Sequence, residues 1–206
     1  MTIRLHRGDL PDQDLARYTR SAAIDTETMG LNPHRDRLCV VQMSPGDGTA
    51  DVVQIAAGQH DAPNLKKLLG NPGIVKIFHF ARFDLAALFN ALGVMPQPVY
   101  CTKIASRLTR TYTDRHGLKD LVRELLNVDL SKQQQSSDWG SQTLSDAQLA
   151  YAASDVLHLH ALRDKLDAML AREDRDKLAH ACFEFLPTRA RLDLSGWRDE
   201  DIFAHS

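Results

Sequence analysis

Asp25 and Glu27 stand at the end of an apolar run, Ala22-Ala23-Ile24, that reads as a buried strand over about residues 22–27. Side chains at i and i+2 leave a strand on the same face. The two carboxylates therefore point the same way and lie close together. Carboxylates that near repel one another and do not both stay ionised without a cation beside them. Alone, so short a pattern reads as a strand running out into a solvated acidic turn.

Three further stretches change that reading. His79-Phe80-Ala81-Arg82-Phe83-Asp84 follows a β-branched segment at 74–78 and places Asp84 in the first turn of a helix. That position is beside the carboxyl end of a strand, where open sheets carry ligands; singly, Asp84 is an acid favoured there by the helix dipole. Tyr151 and Asp155 are four apart, so they share a helix face, and Ala152-Ala153-Ser154 between them lets that helix approach a neighbour. Singly, they are a surface pair. Ser136-Ser137-Asp138-Trp139 lies in a polar loop, where Trp139 either packs on the domain or flanks a substrate. Together, Asp25, Glu27, Asp84 and Asp155 are four acids beside segments that should be buried, and a core does not hold four unpaired charges. Either arginines such as Arg82 neutralise them, or hard divalent cations do. Oxygen-only ligands suit Mg²⁺ or Mn²⁺. Two such ions can activate water and steady the leaving oxygen of a phosphodiester.

The elements that must position these residues follow from pattern. A short strand is expected at 3–6, a helix at 11–18, and strands at 38–43 and 50–55 joined by the hairpin turn Pro45-Gly46-Asp47-Gly48. A short helix at 64–69 closes on Gly70-Asn71-Pro72-Gly73. The strand at 74–78 leads into an amphipathic helix at 81–92 capped by Gly93. Helices follow Cys101 and span 118–126; residues 132–141 read as loop, and the chain is helical almost throughout from Ser145 to about Ala190. Strands early, helices late and a strand–helix alternation between them predict an α/β domain with a mixed sheet.

Composition bounds the rest. A chain of 206 residues, 43% hydrophobic and 25% charged, suits a single domain over 1–206 with a sizeable core. A net charge of −2 argues against a large surface that tracks nucleic-acid backbone and leaves a compact site open. The start has no apolar h-region, and no stretch has the roughly 18 apolar residues of a membrane span. Cys39, Cys101 and Cys182 are scattered outside any Cys-x-x-Cys, which predicts reduced, buried thiols in a cytoplasmic protein and argues against a zinc site.

The four stretches resemble the motifs of the DEDD superfamily of 3′–5′ exonucleases, in its tyrosine-bearing branch. Asp25-x-Glu27 matches the first motif, His79 to Asp84 the second and Tyr151-x-x-x-Asp155 the third. Ser137-Asp138-Trp139 followed by Tyr151-Ala152-Ala153-Ser154-Asp155-Val156 is similar to ribonuclease D. The match covers roughly residues 20–165 and lacks the helical nucleic-acid-binding domains that follow in ribonuclease D. In this it resembles the stand-alone nanoRNase C group, whose members degrade very short RNA and assemble into rings.

The resemblance implies a ribonuclease H-like fold and two Mg²⁺ or Mn²⁺ ions held by Asp25, Glu27, Asp84 and Asp155. Tyr151 would orient the attacking water, since a phenol with a pKa near 10 is a poor base. Thr28, Met29, Leu31, His79 and Trp139 would contact substrate, with Leu31 wedged between the last two bases. The activity implied is release of 5′-mononucleotides from short oligoribonucleotides, dinucleotides first among them, with a DNA-directed exonuclease and an inactive nucleic-acid-binding scaffold as alternatives. Arg107, Arg110 and Arg115 are candidates to cap a 5′ phosphate. A helix at about 174–190, with Leu178, Ala181, Cys182, Phe185 and Leu186 apolar, packs on the domain or forms a contact in a homo-oligomer, and Trp197 is a second candidate for that contact.

Overall fold

The computed structural model describes residues 2–131 and 133–205. Lys132, the first residue of the expected polar loop, and the terminal residues Met1 and Ser206 lie outside the described residues. Six strands form one sheet: β1 (Thr2–Arg7), β2 (Ser21–Thr28), β3 (Leu38–Ser44), β4 (Thr49–Gln54), β5 (Val75–Phe78) and β6 (Val99–Cys101). Their order is β1-β4-β3-β2-β5-β6. β3 runs antiparallel to β2 and β4, while β2–β5, β5–β6 and β1–β4 pair in parallel. Without β1, this is the mixed sheet of a ribonuclease H-like fold, with helices covering it.

The eight helices are α1 (Asp12–Leu15), α2 (Pro63–Gly70), α3 (Ala81–Leu92), α4 (Thr102–Thr109), α5 (Leu118–Leu126), α6 (Asp146–Leu157), α7 (Leu159–Arg172) and α8 (Asp176–Leu194). All seven residues of β3 are buried, as expected of a strand with both faces covered. The turn between β3 and β4 uses Gly46 and Gly48 at φ of +91° and +81°, a region that favours glycine. α3 packs against β2, β3, β5 and β6, and α6 lies across β1 to β4. The main core joins Ile24, Ile77, Phe78, Leu85 and Leu88 to Leu159 and Leu162. A smaller cluster of Cys39, Val40, Val52, Trp139, Leu144 and Ala152 lies under α6.

Three expectations need correction. The early helix is one turn, Asp12–Leu15, because Arg17 and Tyr18 turn aside to meet Asp14 and Asp51. The strand β6 was missed: three residues are too few to carry a period, and its buried Val99-Tyr100-Cys101 pairs only with β5. The last helix, expected to end at about 190, runs through Pro187 and on to Leu194. Its buried stripe is Ala179, Phe183, Leu186, Ala190 and Asp193, so Leu178 and Phe185 face outward. Among the described residues, no helix is long and apolar enough to cross a membrane.

Candidate active site

The site forms where β2, β5 and β6 end, because parallel strands deliver the residues that follow them to one edge of the sheet. β2 carries Asp25 and Glu27 to that edge, β5 leads through His79 into α3 with Asp84, and α6 crosses above with Tyr151 and Asp155. Ser145 and Gln148 start α6 with reciprocal side-chain to backbone hydrogen bonds, which fix where its first turn begins.

Asp25, Glu27 and Asp155 each offer an oxygen, and these three atoms lie within 4.8 Å of one another. Asp84 sits just beyond them: its carboxylate accepts the Thr26 hydroxyl at 2.7 Å. Gln42 on β3, opposite Asp25 in the ladder, donates its amide to the Asp25 carboxylate at 2.6 Å. Burial, and then the charges of Asp84, Asp155 and Glu27, hold the Asp25 carboxyl well above the usual carboxylate range. Burial, followed by Asp155 and Asp84, pushes Glu27 up to about 9. Burial raises Asp155 to about 7 against the lowering influence of Tyr151. Burial also raises Asp84 to about 7, although the Thr26 hydroxyl and backbone N–H groups pull the other way.

No cation offsets these charges among the described residues. Arg82, the candidate neutraliser, turns away and binds the Asp193 carboxylate of α8, with Nη2 at 2.7 Å. A second acidic group on β1, α1 and β4 shows the contrast. Asp14 and Asp51 gather beside His6, but Arg4 and Arg17 pair with both, and the Tyr18 hydroxyl donates to Asp51 at 2.7 Å. That group is an internally neutralised network. The group at Asp25 is an oxygen-only donor set that repels itself, which is the chemistry a hard divalent cation fits.

Tyr151 packs against Trp139 with the rings tilted by 41° and their centroids 6.0 Å apart. Burial, and then Asp155, Glu27 and Asp25, raise its phenol further from ionisation. It keeps its proton and can donate it to a hydrogen bond. Trp139 is only 3% exposed and backs Tyr151 from the small cluster. Gly140 follows it because Met29 packs there: a Cβ at that position would collide with the Met29 sulfur.

The cleft in front of the acids holds about 690 Å³ and is lined by both motif residues and the loop after β2. Thr28 donates its hydroxyl to the Gly30 carbonyl at 2.5 Å and turns the chain. Met29 and Leu31 project outward, Leu31 being 70% exposed. His79 borders the cleft with Nδ1 2.9 Å from the Thr102 hydroxyl, which itself donates to the Phe78 carbonyl. Its imidazole therefore donates through Nδ1. Burial, then Lys103, lowers it to about 3, so it is neutral.

Sequence reasoning missed several cleft residues. Gln42 is fully buried in the apolar run from Leu38 to Met43, and a polar residue inside that run was the available signal. Phe80 adopts a left-handed backbone conformation at φ 71° between β5 and α3, with the Lys103 ammonium 4.3 Å above its ring. Lys103 and Lys119 border the cleft. Lys103 was hidden because it follows β6, the strand that left no pattern. The arginines expected as a phosphate cap are placed otherwise. Arg110 is fully buried, donating to the Ser106 hydroxyl at 3.1 Å and the Arg115 carbonyl at 2.6 Å and pairing with Glu124. It lies at the end of α4 and ties α4 to α5, so it is removed as a cap candidate. Arg107 and Arg115 are exposed and do not line the cleft.

A family model described as 3′–5′ exonuclease matches residues 13–171. Ribonuclease D of Jannaschia sp. is 37% identical over 172 residues, covering 79% of this chain and 44% of that protein. The chain thus spans less than half the length of that curated relative. Brucella melitensis NrnC, solved with bound Mg²⁺, superposes with a TM-score of 0.96 at 66% identity over the whole of both chains. The same NrnC bound to pGG gives a TM-score of 0.96 at 67% identity, again over both chains. Escherichia coli RNase D, described as an exoribonuclease involved in structured RNA processing, gives 0.80 at 25% identity, covering 97% of this chain and 54% of that one.

Proposed function

The chain belongs to the ribonuclease D-like 3′–5′ exonucleases, in the nanoRNase C group, and from that premise we propose that it hydrolyses very short RNA, dinucleotides foremost, in a metal-dependent reaction. The observation that carries the metal requirement is the group of three carboxylates within 4.8 Å with, among the described residues, no cation of the protein's own paired with them. Asp25, Glu27 and Asp155 would hold one Mg²⁺ or Mn²⁺ ion, and Asp84, with Asp25, a second. When bound, the ions supply a water of lowered pKa and positive charge against the phosphate.

The chain's own residues do the rest. The Tyr151 hydroxyl, kept protonated, orients the attacking water. Water oxygen bonds to phosphorus, the P–O3′ bond breaks, and O3′ leaves with a proton, giving a 5′-mononucleotide and a chain one residue shorter. Leu31 stands out from the loop to wedge between the last two bases, with Thr28 and Met29 shaping the floor and Trp139 holding Tyr151 from behind. His79, neutral, supports the substrate side through Thr102. Lys103 and Lys119 take the place of the arginine cap: among the described residues they are the ammonium groups that border the cleft, and they would meet the 5′ phosphate.

A cleft of about 690 Å³ supports a short substrate, since it falls among sites that enclose a small ligand rather than a tracked strand. The net charge of −2 supports the same reading. Subunit assembly is supported by the outward face of α8, where Leu178 is 54% exposed, and by Phe203, which is 75% exposed and meets Phe185. Light scattering should then give a mass several times 23.0 kDa.

The test is hydrolysis of labelled RNA and DNA oligonucleotides with Mg²⁺, with chelator, and by Asp25→Ala. The expected result is release of 5′-mononucleotides from short RNA, loss of activity in chelator and a fall of orders of magnitude in Asp25→Ala. Wild-type rates in Asp25→Ala would overturn the metal-site assignment, and equal rates on DNA would overturn the RNA preference.

A further inference from the structure

The segment after α8 reaches back to the loop after β2, beside the cleft. Arg82 and Arg189 both grip Asp193 near the end of α8, and that carboxylate is nearly buried. The same two guanidinium groups then hold the chain beyond the helix. Arg82 donates to the Arg198 carbonyl. Arg189 donates to the carbonyls of Trp197 at 2.7 Å and Arg198 at 2.9 Å. The backbone at 197–198 is thereby fixed against α3, the helix that carries Asp84.

From that anchored position the Arg198 side chain extends to the loop after β2. Its Nη1 donates to the Leu31 carbonyl at 2.9 Å. A small hollow of about 220 Å³ opens beside this contact, lined by Leu31, Phe80 and Phe83 along with Arg82 and Arg198. The rest of the loop is braced elsewhere: Asn32 N–H to Asp36 at 2.9 Å, and the Pro33 carbonyl to the Asn90 amide at 2.7 Å. The carbonyl of Leu31 is the point where the last segment of the chain holds the loop, at the loop's most exposed apolar residue.

We infer that Arg198 is a positioning residue for substrate selection: through the Leu31 carbonyl it sets the height and direction of the Leu31 side chain over the cleft. This rests on the reading of Leu31 as a wedge between two bases. A guanidinium bond to a carbonyl holds more strongly than a neutral one, and its partial exposure places it toward the weaker end of such bonds. Losing it frees the loop without touching the carboxylates or Tyr151. The consequence should fall on binding of a two-base substrate and not on the chemical step.

The test compares a 5′-phosphorylated diribonucleotide with the p-nitrophenyl ester of 5′-thymidylate, a probe with the same scissile phosphodiester chemistry and only one base. Arg198 is exposed, so substitution leaves the core intact. Arg198→Ala should raise KM for the dinucleotide about fivefold to tenfold, the size expected from one such bond, with kcat within twofold. It should leave the single-base probe unchanged. Arg198→Lys, which can still donate to the carbonyl, should restore most of the loss. In a Leu31→Ala background, Arg198→Ala should add nothing further. If Leu31→Ala raises KM but Arg198→Ala is silent, multiplies with it, or affects the single-base probe equally, the inference about Arg198 is wrong while the wedge stands. If Leu31→Ala itself leaves dinucleotide KM unchanged, the wedge reading fails and takes the inference with it.

Discussion

Replacing Asp155 with Asn should stabilise the protein in chelator while abolishing its activity. Burial puts the Asp155 carboxyl at about 7, against about 4 in an unfolded chain. Between those values the native state holds more protons than the unfolded state, so stability falls as pH rises through the window and the deficit is complete above about 7. A difference of about three pH units corresponds to about 4 kcal/mol at most. Asp25, Glu27 and Asp84 titrate together with it, so relieving one member of the group is expected to return roughly half of that, about 2 kcal/mol. The Asn amide can donate to the neighbouring carboxylates, so no buried group is left unpaired. For a chain of this length that shift raises the melting temperature by about 4–8 °C. Thermal unfolding in chelator at pH 8 should show the variant melting higher by that amount, and at pH 4 the two proteins should coincide. Mg²⁺ should raise the wild-type melting temperature at pH 8 and barely move the variant, because binding to the native state alone shifts the equilibrium. A variant that melts at or below wild type at pH 8 in chelator refutes the view that these carboxylates repel one another in the folded chain.

Other perturbations separate the parts of the site. Tyr151→Phe keeps the ring contact with Trp139 and removes one hydroxyl; kcat should fall by about 10²-fold, the lower range for a positioned group, with KM unchanged. A raised KM at unchanged kcat would make Tyr151 a substrate clamp. Thr26→Val deletes the 2.7 Å bond to buried Asp84 and should cost about 1–3 kcal/mol in denaturant unfolding as well as activity; an unchanged midpoint would show that Asp84 finds another donor. Gly140→Ala should displace Met29 and raise dinucleotide KM, and trimming Met29 to Ala should reverse that effect by making room. A double variant no better than Gly140→Ala would place the damage elsewhere.

The acids were legible in the sequence because each is tied to a pattern of its own. Asp25 and Glu27 close an apolar strand, Asp84 opens a helix after a β-branched one, and Tyr151 and Asp155 share a helix face. The helix at Ala81–Leu92 was readable to its ends because its apolar period is long and Gly93 stops it at φ 70°. What could not be read depends on tertiary placement. β6 is three residues long and gains its identity only by pairing with β5. Arg107, Arg110 and Arg115 looked alike in sequence, yet Arg110 is enclosed between α4 and α5, while Lys103 reaches the cleft from the first turn of α4, directly after β6. The bond from Arg198 to Leu31 joins residues 167 positions apart, and no local pattern announces it. Helices often end before a proline, but packing of Phe183, Leu186 and Ala190 on the core carries α8 through Pro187 and beyond the expected end at about 190 to Leu194.

The central claim is that a compact, cation-capped cleft reads the last two nucleotides of RNA and no more. Its most direct measurement is the single-turnover rate for 5′-labelled RNAs of two to about seven nucleotides, with Mg²⁺ present and protein in excess. The account predicts the fastest cleavage for the dinucleotide and a steep fall with each added nucleotide, because a longer chain must displace its 5′ extension past Lys103 and Lys119. Rates that hold level or rise with length, with successive mononucleotides removed from long RNA, would contradict it.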